Sequence, residues 1–165
     1  MTNSQTDPQQ HEITLRFLAS PQDANLFGNV HGGMVMKWID EAAYACAVGW
    51  CGIDCVTVYI GGIRFFKPIH IGDLVETRAR LIYTGRTSMH IAVDVSAGNP
   101  RQKILHQTTH CVTVFVALDE AGRPASIEGF IPKTIEETAM QQYAIKLMAL
   151  RKGIEEEMQP YLRLD

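Results

Sequence analysis

The chain has 165 residues, of which 46% are hydrophobic and 20% charged, a balance typical of one globular domain with a sizeable core. The formal net charge is −3 at pH 7 and no long basic run is present, so nothing favours nucleic acid as a partner. The longest apolar stretch, residues 42–53, is shorter than the roughly 20 residues that span a bilayer, and we expect no membrane insertion.

The N-terminal segment MTNSQTDPQQHE lacks the apolar core and the arginines of a targeting peptide. We expect residues 1–10 to form a flexible tail. Cys46, Cys51 and Cys55 lie in or near an apolar segment, and none of the four cysteines forms a CxxC pair. This usage favours buried free thiols in a reducing compartment, so we expect a cytoplasmic protein.

The first two predicted elements are a strand and a long helix. HEITLRFLAS alternates in hydrophobicity as a strand does, and the following SPQDANLFGN is rich in the loop formers Pro, Asp, Asn and Gly. A helix is predicted from about Gly32 to Trp50, and Gly52 and Asp54 end it.

Four further strands are predicted after the helix, because four long segments are rich in β-branched residues and alternate with a period near two. They are CVTVYIGGIRFF, DLVETRARLIY, RTSMHIAVDVSA and KILHQTTHCVTVFVALD. The connections KPIHIG, TGR and GNPRQ are short, which favours antiparallel hairpins and a meander over parallel crossovers. The fold class is therefore α+β.

The last predicted element is an amphipathic helix from Thr134 to about Met158. Its apolar residues recur at helical spacing: Ile135, Ala139, Tyr143, Leu147, Leu150 and Ile154. We expect this helix to lie on the domain or on a neighbouring subunit. The predicted organisation is a tail (1–10), one core domain (11–132) and a C-terminal helical extension (133–165).

The helix of residues 32–50 is apolar on almost every side, so it must be wrapped. A single five-stranded sheet covers only one side of it, and the remaining apolar side has to meet another subunit. Burial alone therefore predicts at least a homodimer.

Asp40 is the unusual residue of this helix. Lys37 and Glu41 are spaced as a surface i, i+4 pair, whereas Asp40 lies on a stripe of small and apolar residues. A carboxylate in such a place is costly to desolvate, which favours a functional role. The alternative is that Asp40 only pairs with Lys37.

The loop before the helix supplies groups of complementary chemistry. Gly32 and Gly33 present backbone N–H groups at the positive end of the helix dipole, where an oxyanion or a polarised carbonyl is stabilised. Asn25 adds a neutral amide that can orient a carbonyl or a water molecule. Gly32 and Asp40 are eight residues apart, or about 12 Å along a helix, so we expect a site that combines the two groups from different subunits.

Four pieces of the sequence together resemble a known family. DANLFGNVHGGMVMKWIDEAA, VTVYIGGIRFFKPIHIGD, YTGRTSMHIAV and HCVTVFVALDEAGRP, in this order over residues 13–124, are similar to the hotdog-fold acyl-CoA thioesterases of the bacterial YciA and brain acyl-CoA hydrolase branch. The resemblance implies a hotdog fold, in which a five-stranded antiparallel sheet wraps a long central helix. It also implies hydrolysis of fatty acyl-CoA to a fatty acid and coenzyme A, and assembly as a homohexamer (a trimer of dimers).

The same resemblance assigns roles to individual residues. Asn25 matches the active-site asparagine, Asp40 the catalytic carboxylate, and the amide near Gly32 or Gly33 the donor that polarises the carbonyl. The turn Gly85–Ser88 matches a segment that contacts coenzyme A. Coenzyme A is then part of the substrate and product, and no cofactor is required.

His31 stands where some relatives have phenylalanine, and hotdog dehydratases use a histidine in acid–base catalysis. A histidine beside a glycine pair at a helix start is more often a capping or packing residue. A dehydratase that depends on His31 and a non-catalytic acyl-CoA sensor are the two alternative functions.

Cationic residues at the rim of the sheet are candidates for binding the phosphates of coenzyme A. They are Arg86, Lys67 and Arg64, with Thr87 and Ser88 as hydrogen-bonding partners. Arg and Lys at strand ends are usually only solvated. His106 and His110 fall on one strand face without an expected carboxylate or thiol nearby, so we expect no metal site.

Overall fold

The computed structural model describes residues 10–163 and contains every predicted helix and strand. In chain order they are β1 (Glu12–Leu18), α1 (Gly32–Cys51), β2 (Cys55–Phe65), β3 (Leu74–Thr84), β4 (Ser88–Gly98), β5 (His106–Ala117) and α2 (Ile135–Met158). The α+β class and the five-stranded antiparallel sheet with a central and a C-terminal helix are confirmed. The predicted tail, apart from Gln10, lies outside the described residues, and the division at residues 132 and 133 stays a prediction.

The strands form one sheet in the order β1-β3-β4-β5-β2. The meander β3-β4-β5 is confirmed, but the hairpin predicted at KPIHIG is wrong because β2 pairs with β5 and β3 pairs with β1 and β4. This connection instead crosses the end of the sheet, where the carbonyl of Ile69 accepts a 2.8 Å hydrogen bond from the N–H of Val30. β2 and β3 are separated by three strand spacings, or roughly 15 Å. A short extended connection can span this distance, so its length alone does not indicate a hairpin.

The main core lies between α1 and the concave face of the sheet. The helix contributes Val35, Trp38, Ile39, Ala42, Ala43, Cys46 and Ala47 to it. The other side of α1 stays open, with Met36 41% and Tyr44 43% exposed. The neighbouring edge strand β2 is similarly open, with Val56 44% and Val58 51% exposed. The wrapping is therefore one-sided, as the sequence predicted.

The helix α2 lies across the outer face of the sheet. A second, smaller cluster forms there from Ile82, Ala92, Val112 and Ala144, with Tyr83, Met140, Tyr143 and Leu147 packed against it. The first half of α2 is thereby attached to the domain by apolar burial.

A polar network centred on Asp94 reinforces this attachment. Asp94 accepts hydrogen bonds from Arg80 Nη2 (2.9 Å) and Gln107 Nε2 (2.7 Å), and its Oδ1 lies 2.7 Å from His110 Nδ1. His110 Nε2 in turn lies 3.1 Å from the hydroxyl of Tyr143 on α2. Burial raises the pKa of Asp94, but its bonds with His110 and Arg80 outweigh that effect and hold the pKa below its usual value. The carboxylate therefore stays ionised and links three strands to α2.

All four cysteines are free thiols. Burial raises the pKa values of Cys46, Cys55 and Cys111 to about 12, so these side chains are neutral at physiological pH and are poor nucleophiles. Among the helices of residues 10–163, none is long and apolar enough to cross a bilayer.

The buried histidine beneath α2 makes stability depend on pH. His90 is 6% exposed, and burial, helped by the charge of Arg151, lowers its pKa from 6.5 to about 4. Between these values the unfolded chain binds a proton that the folded chain does not, so stability falls as pH falls. We expect this group to cost about 3 kcal/mol of unfolding free energy between pH 7 and pH 4.

Urea denaturation at pH 7 and pH 4.5 checks this expectation. The His90→Gln variant should lose most of the pH dependence, whereas His106→Gln, at an exposed position, should keep it. An unchanged pH dependence in His90→Gln would contradict the assignment.

Candidate active site

The start of α1 presents one free backbone donor. His31 is the N-cap residue, and its Nδ1 accepts a 2.9 Å hydrogen bond from the N–H of Gly33. The N–H of Gly32 has no partner among residues 10–163. Of the two amides predicted from the sequence, that of Gly33 is therefore occupied and that of Gly32 is available. His31 acts as the capping residue that its position favours.

Asn25 shapes the loop that precedes α1. Its Oδ1 accepts the N–H groups of Phe27 (2.8 Å) and Asn29 (3.2 Å), which closes the loop on itself. Its Nδ2 group has no partner in the described part of the chain, so this amide remains available as a donor.

Asn25 and Gly32 open into the same cavity, which has a volume of about 260 Å³. Phe65, Phe66 and Lys67 from the end of β2 also line it. A β-carbon built on Gly32 would lie 3.5 Å from the Phe65 ring, so the ring stands directly over the helix start. The cavity thus combines two neutral donors with an apolar wall and one cation.

Asp40 has a partner that the sequence did not indicate. Its Oδ1 accepts a 2.6 Å hydrogen bond from the hydroxyl of Thr57 on β2. The alternative pairing with Lys37 is wrong, because Lys37 Nζ lies 3.3 Å from Glu41 Oε1 in the predicted i, i+4 pair. No sequence signal relates Thr57 to Asp40, since only the packing of α1 on β2 brings them together.

Asp40 lies far from Asn25 and Gly32 in one chain. Thr57, its partner, pairs with Phe115 near the start of β2, whereas Phe65 pairs with Thr109 at its end. Because the register of β2 shifts twice between these pairs, their separation is that of six residues of β5, roughly 20 Å. The structure therefore keeps the predicted carboxylate and the predicted donors apart within a single protomer.

The candidate residues consequently form two groups. The amide half-site contains Asn25, Gly32 and Lys67, which line the cavity, with Gly33 beside Gly32. Arg64 is close in sequence, but it pairs with His110, whose side chain faces α2, and therefore lies on the outer face of the sheet. The carboxylate half-site contains Asp40, Thr57, Arg86, Thr87 and Ser88, because the turn before β4 lies at the same end of the sheet as the start of β2.

The turn Gly85–Ser88 has a defined backbone. The N–H of Gly85 donates to the carbonyl of Ser88 at 2.9 Å, and the carbonyls of Arg86 and Thr87 accept from Ile127 and Ala117. The exposed guanidinium of Arg86 has no partner among the residues that the structure describes. A well-held turn thus presents a free cation at the edge of the carboxylate half-site.

The other two cations lie at the end of β2. Lys67 lines the cavity, and the guanidinium of Arg64 stands over the Phe66 ring at 5.5 Å from its centre. Both side chains are exposed. A phosphate-bearing ligand that reaches all three cations must therefore contact both half-sites.

The histidines of β5 lie elsewhere. His110 faces α2 on the outer side of the sheet, and the expectation that no carboxylate is near it is wrong because it contacts Asp94. Within residues 10–163, no three His, Cys, Asp or Glu side chains are grouped so as to hold a metal ion.

Comparisons with known proteins identify similar chains. A sequence profile of the thioesterase superfamily matches residues 27–104. The acyl-CoA thioester hydrolase YciA of Salmonella typhimurium is 32% identical over 127 residues, which cover 75% of this chain and 95% of that protein.

Two solved structures share the fold. A hexameric acyl-CoA thioesterase superimposes with a TM-score of 0.85 and 30% identity, covering 88% of this chain and 94% of that one. An acyl-CoA hydrolase from Staphylococcus aureus, solved with butyryl coenzyme A, coenzyme A and coenzyme A disulfide, gives a TM-score of 0.85 and 27% identity over 92% of this chain and 93% of that one.

Three variants of the Staphylococcus aureus hydrolase have also been solved. They replace an asparagine, an aspartate 15 positions later and a threonine 17 positions after that, each by alanine. Asn25, Asp40 and Thr57 have the same spacing in this chain.

The capping role of His31 predicts a loss of stability without it. His31→Ala removes the acceptor of the Gly33 N–H and should lower the free energy of unfolding by about 1 kcal/mol. Chemical denaturation measures the change. His31→Asn, which also caps helices, should recover most of it, and equal stability of His31→Ala and the wild type would contradict the role.

Proposed function

The chain belongs to the thioesterase superfamily, and from this premise we propose that it hydrolyses fatty acyl-CoA to a free fatty acid and coenzyme A at sites shared between two subunits. The observation that carries the proposal is the division of the site. One protomer holds free amide donors at one end of α1 and a carboxylate near the middle of it, with an open apolar surface between them.

Pairing two copies about a twofold axis joins the half-sites. The exposed apolar residues of α1 and the unpaired edge of β2 are the surface that this pairing buries. If β2 runs antiparallel to β2 of a second copy with its centre near Gly61, Thr57 of one copy lies opposite Phe65 of the other. Asp40 is then next to the amide half-site of its neighbour, and each dimer contains two identical sites.

The amide half-site activates the thioester. The carbonyl oxygen accepts hydrogen bonds from the N–H of Gly32 and the Nδ2 group of Asn25, and the positive end of the α1 dipole stabilises the charge that develops on this oxygen. These donors are fixed by the cap at His31 and by the closed Asn25 loop, so they need little reorganisation.

The carboxylate half-site supplies the attack. Thr57 donates to Oδ1 of Asp40, which leaves Oδ2 to attack the carbonyl carbon directly or to take a proton from a water molecule that attacks it. In both routes the C–S bond breaks, the coenzyme A thiolate leaves as a stable anion, and water provides the oxygen of the acid. No step requires a cofactor.

The remaining residues of both half-sites bind the coenzyme A and acyl parts of the substrate. Arg86 from one subunit and Lys67 and Arg64 from the other bind the phosphates of coenzyme A, with Thr87 and Ser88 as hydrogen-bonding partners. Phe65 and Phe66 provide apolar surface for the acyl chain. We propose that the dimers assemble further into hexamers, as the solved hexameric thioesterase does, and that the enzyme works in the cytoplasm.

The two alternative functions have distinct signatures. A dehydratase would depend on His31, but its Nδ1 is engaged by the Gly33 N–H. A sensor would bind acyl-CoA without turnover and would have no use for the Thr57 bond that orients Asp40.

Replacing the carboxylate should abolish turnover. Asp40→Asn keeps the size and the Thr57 contact but lacks the charge, and it should lower kcat for acyl-CoA hydrolysis by about 100-fold or more. A thiol-release assay with acyl-CoA substrates measures it. Glu41→Gln, one position along on the solvated face, should keep the wild-type rate.

The outcomes separate the three functions. Wild-type turnover by Asp40→Asn would disprove the mechanism. Dehydration of a 3-hydroxyacyl-CoA without thiol release, lost in His31→Ala and kept in Asp40→Asn, would favour the dehydratase. Acyl-CoA binding by the wild type with neither reaction would favour the sensor.

Hybrid dimers test the sharing of the site. Asn25→Ala and Asp40→Asn damage different half-sites, so a mixed dimer retains one intact site and one site with both changes. After random subunit exchange we expect roughly one quarter of wild-type activity from two nearly inactive variants. No recovery, despite exchange demonstrated by native mass spectrometry, would contradict a shared site.

A further inference from the structure

One threonine of β5 has a buried hydroxyl without a hydrogen-bond partner. Thr109 is 1% exposed, and its Oγ1 has no partner in the described part of the chain. The other buried threonine hydroxyls of this strand are paired. Thr108 donates to the carbonyl of Val95 at 3.1 Å, and Thr113 donates to that of Ile91 at 3.4 Å. A buried hydroxyl that forms no hydrogen bond is costly, so Thr109 indicates a partner that the free chain lacks.

Thr109 lines the cavity into which the donors of the amide half-site open. Asn25 and Gly32 line the same space of about 260 Å³. Among the described residues around it, Thr109 is the one that carries a hydroxyl. Most of the remaining wall is apolar and consists of Val30, Val35, Phe65, Phe66, Pro68 and Ile69.

The hydroxyl of Thr109 lies nearer to the sheet than the donor at the helix start. Thr109 pairs with Phe65 of β2, so the two side chains stand side by side on one sheet face. The tip of the Phe65 ring reaches the start of α1, where it lies 3.5 Å from the β-carbon position of Gly32. A threonine hydroxyl stands much closer to its own strand than the tip of a phenylalanine ring does. Thr109 therefore contacts the part of the cavity below the Gly32 amide.

This deeper part of the cavity suits the acyl chain of the substrate. With the thioester carbonyl at the Gly32 amide, the charged coenzyme A moiety stays outside, because its phosphates are costly to desolvate. A saturated acyl chain would leave the Thr109 hydroxyl buried without a partner. An oxygen substituent on the chain, close to the carbonyl, would pair with it.

We propose that Thr109 is a specificity-determining residue that hydrogen-bonds a hydroxyl or oxo oxygen on the first carbons of the acyl chain. The favoured substrates are then acyl-CoAs oxygenated at C2 or C3 of the acyl group rather than saturated ones. This role rests on the proposed function for the place where the thioester carbonyl binds, but not on its hydrolysis.

A water molecule is a poor substitute for this partner. Buried water molecules typically form about three hydrogen bonds with polar groups. The cross-strand neighbours of Thr109 are Phe65 and Val95, and both are apolar. An oxygen that is carried by the acyl chain needs fewer partners, because its own chain packs against the apolar wall.

Binding of substrate analogues tests the role of Thr109 without hydrolysis. Ketone analogues, in which a methylene group replaces the thioester sulfur, keep the carbonyl and release no thiol. Isothermal titration calorimetry of the full-length protein compares the analogues of butyryl-CoA, 2-hydroxybutyryl-CoA and 3-hydroxybutyryl-CoA. At least one hydroxylated analogue should bind about tenfold more tightly than the saturated one. Thr109→Val should abolish this preference, and Thr109→Ser should keep it.

Thr77→Val is the matched control. Thr77 is 0% exposed, and its Oγ1 also lacks a partner within the described chain. It lies in the same row of the sheet as Thr109, on the other side of Val95, but it is not one of the described residues that line the cavity. This variant should bind all three analogues as the wild type does.

Urea denaturation separates a binding role from a structural one. Valine has nearly the shape of threonine, and Thr109→Val removes no hydrogen bond from the free protein. The variant should therefore unfold at the same urea concentration as the wild type or at a higher one. A lower midpoint would show that the hydroxyl supports the fold and would overturn the proposal.

The affinities decide the remaining outcomes. Equal binding of the saturated and both hydroxylated analogues would overturn the role of Thr109, and so would a preference that survives in Thr109→Val or no binding of any analogue. Thiol release from acyl-CoA by the wild type would still support the proposed function in those cases. A preference that depends on Thr109, without any thiol release, would support this role and contradict the hydrolysis.

Discussion

The apolar helix α1 has more surface to bury than one sheet provides. Its inner face, around Ile39 and Ala43, is fully covered by the curved sheet. Its opposite face carries Met36 and Tyr44, one turn on either side of Asp40, and remains open. Burying this face requires a second chain, and that chain necessarily approaches the carboxylate. In the proposed function, assembly and chemistry therefore use the same surface.

In the proposed dimer, the division of the site between subunits also eases an electrostatic conflict. A carboxylate beside free N–H donors in one chain would accept hydrogen bonds from them, and neither group would then be available to a substrate. Here Asp40 accepts a hydrogen bond from Thr57, and the N–H of Gly32 and the Nδ2 group of Asn25 have no partner among the residues that the structure describes. In the proposed dimer, the donors meet the carboxylate only when a second subunit supplies it, in a cavity of about 260 Å³.

The outer face of the sheet is organised by different forces. There a half-buried ionic network around Asp94 links β3, β4 and β5 to α2, and the small cluster near Val112 adds apolar contact. The groups proposed for catalysis, Asp40, Thr57 and Gly32, lie on the other side of the sheet, around α1. The contacts of the outer face hold the first half of α2 against the sheet.

Hydrophobic periodicity and helical spacing were enough to predict the helices, the strands and some of their contacts from the sequence. Hydrophobic periodicity located every helix and strand, and helical spacing predicted the Lys37–Glu41 pair and set Asp40 apart from it. The one-sided wrapping of α1, and with it the need for a partner, also follows from composition along the helix.

Tertiary structure decided the features that depend on register and on contacts between distant segments. The crossing of β2 to the sheet edge, the Thr57–Asp40 hydrogen bond and the contact of Asp94 with His110 join residues that are far apart in the chain. The engagement of the Gly33 amide is local, but it depends on a side-chain rotamer of His31. Hydrophobic periodicity predicts which face of a helix or strand is buried, but it does not predict which residues that face contacts. Strand order and side-chain direction depend on the packing of the whole chain.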